Sequence, residues 1–257
     1  MGQTKNKKRS SSIEVLRVFF QVISDDMKLF VLLHDKEPDA TLLKALLEND
    51  FPNGLGLNLV TEYSAQGRNI IEKALSALSE NIDQSVIDEL AVDYANIYLN
   101  YRIHASPEES VWIDEEDLTC QDSMFQVRSW YEKYGMQAEN WRIRPDDHLV
   151  LQLQFLNYLF SIAKSQTDLQ EIAQFMDEHL LRWLSSFSER VANRCDTPYF
   201  AGIALLTNAY CEELRDLIAT IIDQSRPTQE EIEKRMKPSA KIEEVPVSFM
   251  PGLGPAV

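Results

Sequence analysis

Apolar side chains recur along most of the chain at intervals of three and four residues, the period of an amphipathic helix. The stretch "NIIEKALSALSE" places its apolar residues on one face in this way, and residues 84–101 do the same. No hairpin signal and no run of alternating β-branched residues competes with this pattern. The second apolar face consists of Val86, Ile87, Leu90, Tyr94, Ile97, Tyr98 and Tyr101. The pattern predicts an all-α protein.

Boundary signals divide the body of the chain into about nine or ten helices. Ser11 and Glu14 have the spacing of a capping box, and the first helix then runs to about Leu33 unless Ser24-Asp25-Asp26 breaks it. The later signals are Asp122 and Gly135 at the two ends of one helix, Thr167 with Gln170 at the start of another, Thr197-Pro198, and Pro227-Thr228 with Glu231. We expect a single all-helical domain over residues 12–236.

Both ends of the chain have the composition of tails. Residues 1–11 are basic and polar, and residues 237–257 contain four of the ten prolines without a sustained apolar period. Neither segment buries enough surface to offset the entropy of ordering it. We therefore expect both tails to be disordered.

The charge narrows the choice of partners. The formal net charge is −16, and the first twelve residues carry four basic side chains and no acid, so the remainder carries −20. A body this acidic argues against nucleic acid as the main partner, because phosphate binding requires a basic surface. The same charge attracts a basic peptide, although a generically acidic protein would also show it.

The compartment follows from the cysteines and the hydropathy. The three cysteines, Cys120, Cys195 and Cys211, form no CxxC pair, which favours reduced thiols over disulfides or a zinc knuckle. No apolar run reaches the roughly 18 residues of a membrane helix, and the N-terminal stretch makes a poor signal peptide. We expect a cytoplasmic protein without stable membrane insertion.

Catalytic motifs are missing from the sequence. It contains no GxSxG, no HExxH and no Gly-Lys pair of a P-loop, and the four histidines are far apart along the chain. We therefore expect no catalytic residue, no metal site and no cofactor. A metal site assembled in space remains open, and the alternative is a helical-bundle enzyme or metal-binding protein that uses Asp146, Asp147 and His148.

The most unusual stretch is "RPDDHLVLQLQFLNYLF", where two acids and a histidine precede a nearly all-apolar helix. One interpretation is structural: Asp146 or Asp147 caps the helix, and His148 is a core residue that bonds Gln152 or a neighbouring segment. The other interpretation is a binding cleft at the helix start. There Asp147 would accept hydrogen bonds from an arginine.

The tyrosines of residues 84–101 allow the same two interpretations. Such a stripe is more often core than groove, but tyrosines also supply amphipathic contact area. The loop that follows adds Pro107, Glu108, Glu109 and Trp112. An acidic groove lined with aromatic side chains suits an apolar peptide that carries arginine.

Three segments, in order, resemble the TorD/DmsD/NarJ family of molybdoenzyme maturation chaperones, and most closely its TorD-like members. They are "DYANIYLNYRIHASPEESVW", "PDDHLVLQLQFLNYL" and "FMDEHLLRWLSSFSERVANRCDTPYFAGIALLTNAY". The resemblance spans about Leu90 to Tyr210. It implies an all-helical cytoplasmic chaperone that is not an enzyme.

The resemblance further implies two partners, an apo molybdoenzyme client and the twin-arginine signal peptide of that client. The chaperone would bind the peptide and assist cofactor insertion before export. The implied peptide-binding residues are Tyr94, Ile97, Tyr98, Pro107, Asp147 and His148, to which Tyr101 and Glu108 are added from the patterns above. A monomer and a helix-exchanged dimer are both compatible with the family. This chain departs from it with Tyr94 in place of a frequent tryptophan, Ser106 in place of a proline, and Gln152 and Gln154 in place of glutamates.

Overall fold

A computed structural model describes residues 2–79, 82–113 and 118–237, and within these residues every regular element is helical. The α-helices are α1 (Gly2–Asp35), α2 (Ala40–Glu48), α3 (Glu62–Ser79), α4 (Gln84–Tyr98), α5 (Ser110–Ile113), α6 (Asp122–Lys133), α7 (Leu149–Ile162), α8 (Gln166–Phe175), α9 (Leu181–Arg194), α10 (Pro198–Ile222) and α11 (Gln229–Met236), and a π-helical segment (Met176–Leu180) joins α8 to α9. The predicted all-α class is confirmed.

The first helix is continuous across Ser24-Asp25-Asp26, where the sequence allowed a break, because Ser24 and Asp26 bond other elements and Asp25 bonds Gln21 and Lys28 within α1. The Asp26 carboxylate accepts hydrogen bonds from the Gly56 N–H (2.9 Å) and the Tyr210 hydroxyl (2.6 Å). The Ser24 hydroxyl donates to the Asn157 side chain in α7 (2.7 Å). These side chains therefore tie α1 to the rest of the fold instead of breaking it.

The structure describes nearly all of the predicted N-terminal tail but only the first residue of the predicted C-terminal tail. Helix α1 begins at Gly2, so it includes most of the segment assigned to the N-terminal tail and starts before the expected capping box. Residues 238–257 of the C-terminal tail lie outside the described residues. The domain boundaries stay a prediction.

Helix α8, the π-helical segment and α9 form one rod from Gln166 to Arg194. Its N-cap is Ser165, and Asp168 completes the capping box by accepting from the Ser165 N–H (2.9 Å). The predicted start at Thr167 with Gln170 was wrong by two residues, because the acid at the third helical position outcompetes the glutamine.

Three other boundaries lie at or within one residue of their predicted positions. Thr197 precedes Pro198 at the start of α10, yet its hydroxyl donates to Asp93 in α4 (2.6 Å) instead of capping its own helix. Gly135 follows α6 with φ +69°, a left-handed conformation that suits glycine. Gln121, whose side chain makes no capping hydrogen bond, takes the N-cap position predicted for Asp122.

The core is built around α10, which packs most extensively on α3 and α9, while α1 packs on α7. Two glycines permit the close approach of α3 and α10. A Cβ on Gly202 would lie 2.7 Å from the Ile71 nitrogen, and one on Gly67 would lie 2.9 Å from the Leu206 nitrogen. Any larger residue at either position would push the two backbones apart.

The first compact unit of the chain extends to Arg226, and α11 belongs to a second unit that begins at Pro227. As predicted, Thr228 and Glu231 form a capping box at the start of α11. Within the described residues, no helix is long and apolar enough to cross a membrane.

Candidate functional site

Two segments that are distant in sequence lie side by side at the start of α7. We call residues 106–110 the acidic loop and residues 145–149 the α7 entry. They are joined by hydrogen bonds from Leu149 N to Pro107 O (2.8 Å) and from Glu109 N to Asp147 O (3.3 Å), and by an isolated antiparallel β-bridge between Glu108 and His148. The pairing brings together five of the predicted site residues: Tyr101, Pro107, Glu108, Asp147 and His148.

Glu108 is almost fully buried at 1% exposure. Its carboxylate accepts hydrogen bonds from the Tyr101 hydroxyl (3.0 Å) and from the Ser106 hydroxyl. Burial raises the pKa of Glu108 to about 7, although these two bonds favour the charged form. The acidic loop therefore holds a carboxyl group that titrates near neutral pH.

Asp147 does not cap α7 as one interpretation had it. Its Oδ2 accepts from the Ser110 N–H (2.8 Å) and so caps the short helix α5 across the pairing. Burial, reinforced by the charge of Glu109, raises the pKa of Asp147 to about 6. The neighbouring Asp146 pairs with Arg128 of α6 at 2.8 Å.

The N-cap of α7 is His148. Its Nδ1 accepts a hydrogen bond from the Val150 N–H (3.1 Å), so Nδ1 carries no proton. Burial, with Arg144 and His34 nearby, lowers the pKa of His148 to about 3. The imidazole is therefore neutral and serves as a helix cap.

Glu109 lies at the centre of the site with no exposed surface. Its Oε2 accepts from the Gln152 Nε2 (2.8 Å), and its Oε1 lies 3.1 Å from the His179 Nδ1. Gln152 therefore bonds a neighbouring segment, the second of the two partners expected for it, and not His148. The Arg182 Nη1 lies 3.8 Å from Glu109 Oε1.

His179 is a site residue that sequence reasoning missed. It lies in the π-helical segment and is buried, 70 positions from Glu109 in sequence. The sequence offered only a weak signal, a histidine among acids in "MDEHL" on a helix that is otherwise apolar at this point. π-Helical turns within α-helices often occur at functional sites.

Several polar atoms of this site have no hydrogen-bond partner among the described residues. They are Ser110 Oγ, Asp147 Oδ1, Gln152 Oε1 and His179 Nε2. Buried polar groups in proteins nearly always have partners. The Ser110 hydroxyl is close enough to Asp147 to favour its charged form. Gln152 Oε1 and Asp147 Oδ1 are acceptors beside the buried Glu109, so the site has unused capacity to accept hydrogen bonds.

The tyrosine stripe of α4 lies in the core. Tyr94, Ile97 and Tyr98 are at most 6% exposed, and of the stripe's predicted site residues only Tyr101 reaches the surface, at 41%. The Tyr98 hydroxyl lies 2.6 Å from His34 Nδ1, and the Tyr94 hydroxyl donates to the Asp35 carbonyl (2.7 Å). In this conformation the tyrosine stripe is part of the buried core and does not form an open groove.

The alternative metal or acid–base site is not assembled. Asp146, Asp147 and His148 each face a different partner, namely Arg128, the Ser110 N–H and the Val150 N–H. Among the residues that the structure describes, no group of three or more potential ligands is placed to hold a metal ion. All three cysteines are free thiols, as predicted.

A separate cavity of about 230 Å³ lies between α3, α4 and the start of α10. Its lining is mostly apolar and includes Leu78, Leu90 and Pro198. None of the predicted site residues reaches it, so we place the candidate site at the acidic loop.

Comparison with known proteins finds a family model and several relatives that are similar to this chain in sequence. A family model described as nitrate reductase delta subunit matches residues 65–189. A protein of Vibrio cholerae serotype O1 named chaperone protein TorD is 28% identical over 179 residues, which is 66% of this chain and 79% of the relative.

Two further relatives carry the same name. The protein from Vibrio vulnificus (strain YJ016) is 27% identical over 56% of this chain and 69% of its own length. The one from Photobacterium profundum is 24% identical over 63% of this chain and 76% of its own length. With the ordered sequence segments and the all-α fold, these matches show that the chain resembles the TorD/DmsD/NarJ family of molybdoenzyme maturation chaperones, as the sequence indicated.

Proposed function

We propose that the chain acts in the cytoplasm as a non-enzymatic chaperone that binds the twin-arginine signal peptide of a molybdopterin oxidoreductase. It assists cofactor insertion into the apo client before export. One observation carries the proposal: the acidic loop and the α7 entry, selected independently from the sequence, are hydrogen-bonded to each other and place Glu108, Glu109 and Asp147 together. We call these three residues the acidic cluster.

The chemistry of the acidic cluster suits a guanidinium group. A guanidinium carries five N–H donors in a planar fork and stays protonated at every physiological pH. The cluster offers carboxylate oxygens together with the unpartnered Asp147 Oδ1 and Gln152 Oε1. Burial raises the pKa of both Glu108 and Asp147, so ionisation of these groups is costly until a cation arrives. An arriving arginine would supply that cation.

Binding requires the acidic loop to move, because Glu109 and Asp147 have no exposed surface. The loop is held to the α7 entry by few backbone bonds. It follows two non-glycine residues in the left-handed region, Tyr101 (φ 54°) and His104 (φ 52°). Such conformations concentrate at switch regions and ligand clamps. We infer that opening of the loop exposes the acidic cluster to the arginine of the peptide. The same opening exposes the tyrosine stripe, beginning at Tyr101, to the apolar run of the peptide.

Calorimetry with a synthetic signal peptide tests the proposal. A peptide with Arg-Arg followed by an apolar run is expected to bind with a micromolar or lower Kd, and its Lys-Lys variant at least about tenfold more weakly, because lysine cannot form the bidentate contact. Since the chain is strongly acidic, both affinities fall with added salt. Equal affinity for the two peptides at every salt concentration would overturn the arginine-recognition part of the proposal.

A further inference from the structure

Arg182 is the partly exposed member among the described side chains whose polar atoms contact Glu109. Its side chain is 17% exposed, whereas the Glu109 side chain that it approaches is 0% exposed. The other two groups in contact with Glu109, Gln152 and His179, are also buried. A guanidinium that approaches Glu109 after the acidic loop opens therefore encounters Arg182 as the cation already in place.

The contact between Arg182 and Glu109 is loose. The two charged atoms are 3.8 Å apart, longer than a hydrogen bond, and the same Nη1 donates to the Glu178 carbonyl at 3.4 Å. By contrast, Arg215 holds Asp177 through two hydrogen bonds of 2.8 and 2.7 Å. Arg182 therefore neutralises Glu109 without the short paired bonds that fix a structural ion pair.

The acceptors beside Glu109 provide an independent observation. Gln152 is fully buried, and its amide nitrogen bonds Glu109, which places its carbonyl oxygen next to the carboxylate. That oxygen and Asp147 Oδ1 have no partner among the described residues, and Arg182 reaches neither of them. The site offers more acceptors than Arg182 uses.

We propose that Arg182 is a resting counter-ion of Glu109 that the arginine of a client peptide must displace. The inference rests on the proposed function and adds a regulatory element to it: an internal competitor that weakens binding of the peptide. A guanidinium that enters more deeply can use Glu109 together with the free acceptors of Asp147 and Gln152. The displaced Arg182 side chain, which is already partly exposed, would then extend into solvent.

The test is the affinity of the Arg-Arg peptide for an Arg182→Gln variant, measured by calorimetry on the full chain. Removal of the competitor is expected to lower the Kd roughly three- to tenfold, the factor of a weak, partly exposed ion pair. Arg194→Gln is the matched control, because it removes the same charge from the same helix, three turns away, where Arg194 donates to the Ile103 carbonyl. An equal gain in both variants, or weaker binding in Arg182→Gln, would overturn the inference.

A double-mutant cycle checks that Arg182 acts through Glu109. In a Glu109→Gln background there is no carboxylate to compete for, so Arg182→Gln is expected to change the Kd by less than about twofold. Circular dichroism of each variant verifies that the helices are retained. A full gain in affinity in the Glu109→Gln background would show that Arg182 acts elsewhere, and the inference would be wrong.

Arginine amide, a single guanidinium without a peptide, separates this inference from the proposed function. NMR titration of isotope-labelled protein is expected to show tighter binding of arginine amide to Arg182→Gln than to Arg194→Gln. If that gain appears while the Arg-Arg peptide does not bind, the counter-ion inference stands and the signal-peptide function fails. If the peptide binds with arginine preference but the two variants behave alike, the function stands and the inference fails.

Discussion

Two buried carboxylates, Asp177 and Glu109, each contact basic side chains, and the geometry of the two contacts is very different. Asp177 of the π-helical segment binds Arg215 of α10 through both of its oxygens, at 2.8 and 2.7 Å. Glu109 of the acidic loop meets His179 at 3.1 Å and Arg182 at only 3.8 Å. The first is a closed structural pair between helices, although Arg215 Nη1 has no partner among the described residues. The second lies beside two acceptors that also have none among them.

The difference separates a stabilising contact from a recognition site in one small region of one protein. The Asp177–Arg215 pair joins two helices of the core, and both residues are buried. The Glu109 pair joins a loop to a helix surface, and Arg182 has a route to solvent. Burial alone does not distinguish the two sites, and each contains a buried polar atom without a partner among the described residues. The geometry of the ion pair does distinguish them, since Asp177 and Arg215 share two short hydrogen bonds, whereas Glu109 and Arg182 are 3.8 Å apart.

The largest expected effect comes from breaking the closed pair. Asp177→Ala leaves the Arg215 guanidinium buried and uncompensated, and the free energy of unfolding is expected to fall by about 3–5 kcal/mol. Urea denaturation measures the change. The affinity of the folded variant for the Arg-Arg peptide is expected to stay within about twofold of the wild type. A stability loss below about 1 kcal/mol would contradict the structural role of this pair.

The opposite result is expected for the open pair. Glu109→Gln keeps the shape of the side chain and one acceptor, so the free energy of unfolding is expected to fall by only about 1–2 kcal/mol. The Arg-Arg peptide should lose at least about tenfold in affinity, because a guanidinium then meets no charge at this position. Denaturation and calorimetry on one preparation give both numbers. A variant that is strongly destabilised but binds the peptide normally would show that Glu109, like Asp177, has a structural role and no role in recognition.

A third buried network sharpens the comparison. The Thr207 hydroxyl donates to the Ile203 carbonyl, so His34 Nε2 must donate to Thr207 and His34 Nδ1 must accept from Tyr98. Burial lowers the pKa of His34 to about 3, which keeps the ring neutral. Tyr98→Phe is expected to cost roughly 1 kcal/mol of unfolding free energy by leaving Nδ1 unpaired, without a change in arginine selectivity. Loss of selectivity would show that the hydroxyl contacts the peptide.

A further expected effect is on the slope of stability with pH. The pKa of Glu108 is raised to about 7, above its value in the unfolded chain, so the folded state binds more protons between about pH 4.5 and 7. This residue therefore makes the unfolding free energy fall as the pH rises, by at most about 1.4 kcal/mol per pH unit. Glu108→Gln removes that contribution, and denaturation at several pH values should show a flatter profile across this window. An unchanged profile would contradict the raised pKa.

Much of the architecture could be predicted from the sequence because helical periodicity is local. The helix class, the glycine that ends α6 and the proline that opens α10 all depend on neighbouring residues. Cap assignments near the site were less predictable. Asp147 caps α5, not α7, because the acidic loop crosses the α7 entry in space, and no local pattern reports that crossing.

The candidate site was predicted only in part for the same reason. The acidic loop and the α7 entry stood out by composition, and the family resemblance linked them. His179 and Arg182 belong to the site through the packing of a helix 70 residues away along the chain. The tyrosine stripe shows the reverse case, since apolar helical spacing describes a buried face and a binding groove equally well.

The most direct test of arginine recognition at the acidic cluster is a double-mutant cycle between peptide and protein. Calorimetry would measure the Arg-Arg and Lys-Lys peptides against the wild type and against Asp147→Asn, whose amide occupies the same volume. If Asp147 accepts the guanidinium, the wild type prefers arginine, the variant largely loses that preference, and the coupling energy is about 1.5 kcal/mol or more. Additive effects, with a coupling energy below about 0.5 kcal/mol, would contradict the assignment of arginine recognition to this cluster.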